Sequence, residues 1–305
     1  MVAALLTTVL FATSAVCGYR TARQIGGVEA NFWRITIATI FLTLWAFTFG
    51  TQFAGAPGWF MLSGFFGIGL GDSGYFQALP RLGSRRTVLL TQCLTAPFAA
   101  LIEWLWLGTK LNLAEVLCVA VILSGVAIAL APEDHLKISA ADWKIGIGAS
   151  VFGALGGALG AVVIRKGYAA LAEAGLSVDA GTTGYQRVVG GILLPTVALL
   201  VIKWRSAHAH GAMFEERTWR VSIEKWRRLW PWVLANALAG QTLGVTCMQW
   251  ALKDNPSAVV QAIIATSPIV LLPMTRIVDG EKIGMRSLAG AVVAVGGVIG
   301  LTFSR

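Results

Sequence analysis

Charge is what this sequence has least of. Asp, Glu, Lys and Arg together make up 13% of its 305 residues, against about 25% in an ordinary soluble domain. That is too little to coat a water-facing globule, and a soluble fold is excluded. Acidic side chains are the scarcer sign, 15 against 24 Lys and Arg, for a formal net charge of +9. No basic stretch carries a nucleic-acid motif, so the surplus reads as loops on the cytoplasmic side of a membrane and no nucleic-acid partner is expected. Histidine is rarer still: His135, His208 and His210 all fall between apolar runs, and there is no HExxH or DxxxD. A metal site or a charged catalytic cluster has nothing to be built from, and neither an enzyme activity nor a cofactor is expected. A GxxxxGK[ST] phosphate loop is missing, which excludes ATP as the direct energy source. The four cysteines, Cys17, Cys93, Cys118 and Cys247, lie inside apolar runs without a CxxC pair. They give no disulfide frame and no zinc site.

Apolar side chains are what is there: 56% of the chain, with a mean hydropathy of +0.71. Apolar runs fall at 2–19, 33–49, 59–79, 87–107 and 112–131, then at 143–169, 181–203, 230–252, 256–278 and 285–303. About 20 residues at 1.5 Å each cross a hydrocarbon layer of about 30 Å. The first run begins at Met1 without a basic leader and reads as a retained span. The expected fold is therefore all-α and integral to the membrane, with ten transmembrane helices and a bilayer as solvent. One long loop, 204–229, spaces Trp219, Ile223, Trp226 and Trp230 at i, i+4, i+7 and i+11, with Arg220, Arg227 and Arg228 off that face. This pattern predicts a basic amphipathic helix lying in the membrane surface. All twelve tryptophans sit near run ends or in that loop, as an interfacial belt requires.

The runs also repeat. Residues 59–79 lie over 232–252 without a gap and agree at six of 21 positions, among them Trp59 with Trp232, Gly67 with Gly240 and Gly71 with Gly244. Asp72 falls opposite Val245. Thr95-Ala96-Pro97 matches Thr266-Ser267-Pro268, and Gly108-Thr109-Lys110 matches Gly280-Glu281-Lys282. Phe32-Trp33-Arg34 matches Tyr185-Gln186-Arg187. Five crossings per copy is an odd number, which turns the second copy upside down. Residues 1–131 and 143–303 are thus expected to be two inverted five-helix repeats. Secondary transporters recurrently use that plan, holding the solute near the midplane where the repeats meet.

At these motifs the chain resembles the drug/metabolite transporter superfamily in its ten-helix EamA-type form. The likeness is carried by GDSGYFQAL at 71–79, the helix containing Pro97, the turn LGTKL at 107–111, and SPIVLLPM followed by GEKIGM in the second half. The resemblance implies ten helices in two five-helix repeats and movement of small organic solutes. One departure is that the hairpin carboxylate occurs only as Glu281, with Thr109 in its place in the first copy.

Thirteen of the 15 carboxylates sit in loops or at run ends; Asp72 and Glu103 do not. An ionised carboxylate at that depth costs about 2.5–3.5 kcal/mol unless water or a partner reaches it, so Asp72 is expected to face a cavity. There it would titrate a proton, bind a substrate amine, or merely hydrogen-bond one helix to another. Tyr75, three residues on, shares its face. Pro97 and Pro268 break matching spans, the best sequence pointer to a transporter site. Gln92, Thr95, Gln261, Thr266 and Ser267 cluster around them, and Gln241 joins from the eighth run. These are the candidate cavity-lining residues, although the hydroxyls could instead satisfy the freed backbone. Arg34 and Arg187 open the second spans of the two copies. They would snorkel to headgroups or form an anion-attracting vestibule. Gly64, Gly67, Gly71 and Gly74 make a stripe of small residues, and Gly153-Gly157 and Gly156-Gly160 are GxxxG pairs, read as helix-packing surfaces.

Loops after odd-numbered runs hold 16 Lys and Arg, against five in the even-numbered loops and the C-terminal tail. That surplus places the odd loops in the cytoplasm and both termini outside, opposite to the usual orientation of the resembled family. The expected function is secondary transport of small organic solutes, of amino-acid, amine or other metabolite class. It would export them across a plasma membrane by alternating access, with Asp72 coupling to protons. The competing reading is a membrane-embedded scaffold or enzyme without transport activity.

Overall fold

A computed structural model describes residues 2–107, 112–130, 138–210, 223–254, 263–264, 266–279 and 284–303. All regular structure among them is helical. The chain runs through α1 (Val2–Ile25) and α2 (Gly27–Thr48), turned at Gly26, whose φ of 84° favours glycine. The third span is α3 (Pro57–Gly64), a π-helical segment π1 (Phe65–Gly71), and α4 (Asp72–Leu82). Then come α5 (Ser84–Leu107), α6 (Leu113–Leu130), α7 (Ala140–Glu173), α8 (Ala180–Gly191) and α9 (Leu193–His210). The eighth span is α10 (Ile223–Ala237), a second π-helical segment π2 (Leu238–Thr242), and α11 (Leu243–Asp254). Finally α12 covers Ser267–Asp279 and α13 covers Met285–Phe303.

Among the described residues five helical stretches are long and apolar enough to cross a membrane: Val2–Ile25, Gly27–Thr48, Ser84–Trp106, Ala140–Glu173 and Ala180–Arg205. The third and eighth spans fall short as single α-helices because π segments divide them. The seventh is nicked at Ile192: Pro195 has no N–H to give the Gly191 carbonyl, and its ring crowds that turn.

The bundle is inside-out by the standards of a soluble protein. Leu5, Ile40, Leu44, Leu105, Leu123 and Leu200 are exposed, while Thr7, Ser63, Ser150, Thr183, Gln186 and Gln249 are buried. Acyl chains solvate the leucines, and polar groups turn inward because hydrocarbon offers them no partner.

The glycine stripes let helix backbones approach closely. On π1 and α4, Gly67, Gly71 and Gly74 face Gly153, Gly156, Gly157 and Gly160 of α7, and the Ser63 hydroxyl donates to the Gly160 carbonyl at 2.8 Å. A β-carbon on Gly156 would stand 2.6 Å from the Gly71 nitrogen. Only glycine permits that backbone contact.

Neighbour relations follow a swap. The first span packs on the eighth and ninth (α10, π2, α11 and α12), while the sixth packs on the third and fourth (α3, π1, α4 and α5). The fifth and tenth spans, α6 and α13, lie along one another, and α2 lies against α8 and α9.

Loop 204–229 departs from the expected surface helix wherever it is described. Residues 204–210 prolong α9, and Ile223 begins α10. The apolar face serves packing there: Trp226 meets Trp33 edge-on at 5.3 Å between ring centroids, and Leu229 is fully buried. Trp219 and Arg220 lie outside the described residues, as does the hairpin carrying Glu281.

Gly156→Ala should cost about 1–3 kcal/mol through overpacking, seen as a lowered Tm of the detergent-solubilised protein. Gly148→Ala, on the same helix with nothing within 4 Å of its β-carbon, should leave Tm unchanged or slightly higher.

Candidate functional site

Side chains set by the two π segments meet in one hydrogen-bonded cluster. A π turn lets the backbone slip its usual hydrogen-bond register and re-aims the next side chain, a device frequent at functional sites. π1 delivers Asp72 as the first residue of α4, and π2 contains Gln241. Gln241 Nε2 donates to Asp72 Oδ2 at 2.6 Å. From α2, Arg34 Nη2 donates to the same oxygen at 2.5 Å and to Asn31 Oδ1 at 3.1 Å, and its guanidinium lies 4.7 Å from the Phe76 ring centroid. Tyr75 stands within electrostatic reach of both Arg34 and Asp72. Beside them Ser14 Oγ donates to Asn236 Oδ1 at 2.7 Å.

Arg187 is the counterpart of Arg34. Arg34 Nη1 lies 3.2 Å from where a β-carbon on Gly240 would stand, and Arg187 Nη2 lies 3.4 Å from the same point on Gly67. Those glycines are paired by the sequence alignment. Around Arg187, the Tyr168 hydroxyl donates to Gln249 Oε1, and Tyr168 and Asp72 both interact electrostatically with the guanidinium. Several buried atoms here have no hydrogen-bond partner among the described residues: Arg187 Nε and Nη1, Gln241 Oε1, Thr242 Oγ1 and Gln249 Nε2. An unpaired buried polar atom costs about 1–3 kcal/mol, so each of these atoms calls for a partner.

Neither arginine reaches headgroups or rims a vestibule; Arg34 is 4% and Arg187 7% exposed. The long side chains turn inward because an intramembrane charge gains more from a carboxylate and fixed dipoles than from stretching to the interface. The prolines are not twin breaks either. Pro97 sits inside an uninterrupted α5, whereas Pro268 occupies the first turn of α12, where its missing N–H costs nothing. Thr266 and Ser267 donate to the carbonyls of Ile263 and Ile264, both at 2.6 Å, and Thr95 donates to Thr91 O at 2.6 Å while facing Gly157 of α7. Those hydroxyls satisfy local backbone. Gln92 is half-buried on α5, and none of Gln92, Thr95, Thr266 or Ser267 hydrogen-bonds to the Asp72 cluster among the described residues. Gln261 and the Glu103 side chain lie outside the described residues. Asn31 and Tyr168 were not anticipated. Asn31 is one turn before Arg34, and that spacing was its only signal.

The two ends of the bundle differ. At the ends of the odd-numbered spans a cleft of about 760 Å³ is lined by Arg23, Glu29, Gln77, Arg81, Asp142 and Lys203, among others. At the opposite end the α2–α3 loop is tied to α8. Asp179 caps α8, accepting from the Thr182 amide at 2.9 Å, its hydroxyl at 2.5 Å and the Trp45 indole at 3.0 Å. Thr182 Oγ1 accepts from the Thr51 amide at 3.0 Å, and Gln186 Nε2 donates to the carbonyls of Gln52 and Ala54 at 2.9 and 3.0 Å. Gln52 has φ 55°, a left-handed conformation that Gln186 holds in place.

An all-helical bundle with apolar side chains outside and paired charges at its centre defines a multi-pass membrane protein. The family model of the EamA-like transporter family matches residues 1–131 and 144–303, and the chain belongs to that family, whose members carry small solutes across membranes. No curated protein gives a significant sequence match. Among solved structures 27 chains match. One, described as "Crystal structure of protein", superimposes with a TM-score of 0.61 at 18% identity over 99% of this chain and 96% of its own, a likeness of fold.

Breaking the buried pair from one side leaves a lone charge, at a cost of about 3–5 kcal/mol. Arg34→Gln and Asp72→Asn should each lower Tm, and the double variant should be less destabilised than the sum. Additive losses in that double-mutant cycle would show the two groups to be uncoupled. Burial raises the Asp179 carboxyl pKa, but the Thr182 hydroxyl and amide, the Trp45 indole and the Gly181 amide outweigh it and hold the pKa below the ordinary value. Its contribution is therefore full above the usual carboxylate range and fades as pH falls through the lowered value. Hydrogen-exchange protection of residues 49–56 should fall over that acid range in the native chain, and Asp179→Asn should weaken it at neutral pH and flatten its acid dependence.

Proposed function

We propose that the chain is a secondary transporter working by alternating access around the Asp72 cluster, exporting small organic solutes of amino-acid, amine or other metabolite class across a plasma membrane. The observation that carries this reading is the exchange of partners between aligned segments. Arg34 lies on Gly240 and Arg187 on Gly67; Ser63 reaches Gly160 on the sixth span, and its aligned residue Asn236 meets Ser14 on the first. Such an exchange is what a two-fold axis in the membrane plane produces between inverted repeats, here 1–131 and 143–303. The solute site then lies at their interface, beside the bond between Asp72 and Gln241.

In the export reading the cleft is the entrance: it opens at the ends of the odd spans, on the side that the surplus of Lys and Arg assigns to the cytoplasm, and at the far end the Asp179–Thr182–Gln186 bonds tie the α2–α3 loop to α8. A solute enters from the cytoplasm, the cleft closes, and the far ties part. Asp72 is the coupling group: a proton on its carboxylate discharges the ion pair, releases Arg34 and loosens the hold of α4 on α2.

Proteoliposomes assayed against a metabolite panel, with and without a pH gradient, should show gradient-driven flux. Asp72→Asn should abolish the gradient dependence and keep solute exchange. Gradient-driven flux that persisted in Asp72→Asn would remove proton coupling through this residue, and absence of flux for every solute would remove the transport mechanism.

A further inference from the structure

We propose that the transported solute carries a carboxylate and that Arg187 receives it. This rests on the transport reading above and names the chemistry of its cargo. The argument begins with charge. Among the described residues two arginines are buried at the centre of the bundle and one carboxylate faces them. Asp72 is bonded to Arg34 at 2.5 Å; among the described residues no carboxylate pairs with Arg187. The asymmetry is written in the repeat, because the residue aligned with Asp72 in the second half is Val245, itself buried. α8, which carries Arg187, packs on α11 as α2, which carries Arg34, packs on α4, and Gly184 faces Thr246 one residue beyond Val245. The second half thus keeps the arginine and its glycine rest and omits the acid.

The donors left over match one ligand group. Among the described residues Arg187 Nε and Nη1 are buried without a hydrogen-bond partner, as is Gln249 Nε2, while the Gln249 oxygen is taken by Tyr168. An N–H of a guanidinium makes a strong charge-assisted hydrogen bond to a carboxylate oxygen, and an amide N–H₂ can add a further donor. The surplus is one positive charge, which a monoanion neutralises. A phosphate ester, near −2 at neutral pH, overfills it, and an amine meets a second cation. The cargo carboxylate stands in for the side chain that Val245 does not supply.

The test is binding to the purified full chain in detergent, followed by thermal shift and intrinsic tryptophan fluorescence. Matched probes are used: benzoate against benzamide, succinate against succinamide, and N-acetylphenylalanine against its amide. At least one carboxylate should bind about tenfold or more tightly than its amide, and Arg187→Gln should erase the difference. Val245→Asp provides an internal anion; it should keep or raise Tm without ligand and lose carboxylate binding. Equal affinity for every carboxylate and amide on the native chain overturns the inference, as does undiminished discrimination in Arg187→Gln. If Arg187→Gln does not fold, undiminished discrimination in Val245→Asp overturns it. Flux of amines or neutral solutes without carboxylate binding sinks this inference and leaves the transport reading standing; carboxylate binding without flux of any solute does the reverse.

Discussion

A charge inside a hydrocarbon layer must be met by another charge or by fixed dipoles, and the bond between Asp72 and Arg34 is how this molecule meets that demand. Much of the centre follows from it. Asn31 steadies the guanidinium, Phe76 lies under it, and Gln241 reaches across from the eighth span to share the same carboxylate oxygen. The pair sits where α1, α2, α4 and π2 converge, so the polar centre and the packing of the bundle are one arrangement.

Glycine and the π turn let these elements come so near. The third and eighth spans both change helical register at their middles, at segments that overlap in the alignment of the two halves. Each turn directs a polar group inward and leaves a glycine on which an arginine from another span can rest. The two halves share this frame and differ in their chemistry: one holds a complete ion pair, the other an arginine and, at the position aligned with Asp72, a valine.

The ten runs were legible in the sequence, because twenty apolar residues between charges leave a chain few alternatives. The glycine stripe was legible too, since recurrence at i, i+3, i+7 and i+10 can serve close packing and little else. Asp72 was singled out by its depth. Its partner was missed because Arg34 stands near the start of its run, where depth alone suggests a headgroup; only the folded helices show that the start of α2 lies beside the middle of the third span. The prolines misdirected for a related reason. A proline inside a helix advertises a break, yet α5 runs through Pro97, whereas register changes in glycine-rich stretches carry no such residue signature. The polar face of 223–229 belongs to a span rather than to the membrane surface, because its apolar side found Trp33 on α2.

The seam between α4 and α7 has a mechanical side. Interlocking leucines would hold two helices at one setting, since each knob must climb out of its hole before either can shift. Backbone laid on backbone through Gly71, Gly74, Gly153 and Gly156 has almost no knobs, and such a joint behaves as a plain bearing. Directional bonds sit instead at the rim, where Asp179, Thr182 and Gln186 tie the α2–α3 loop to α8.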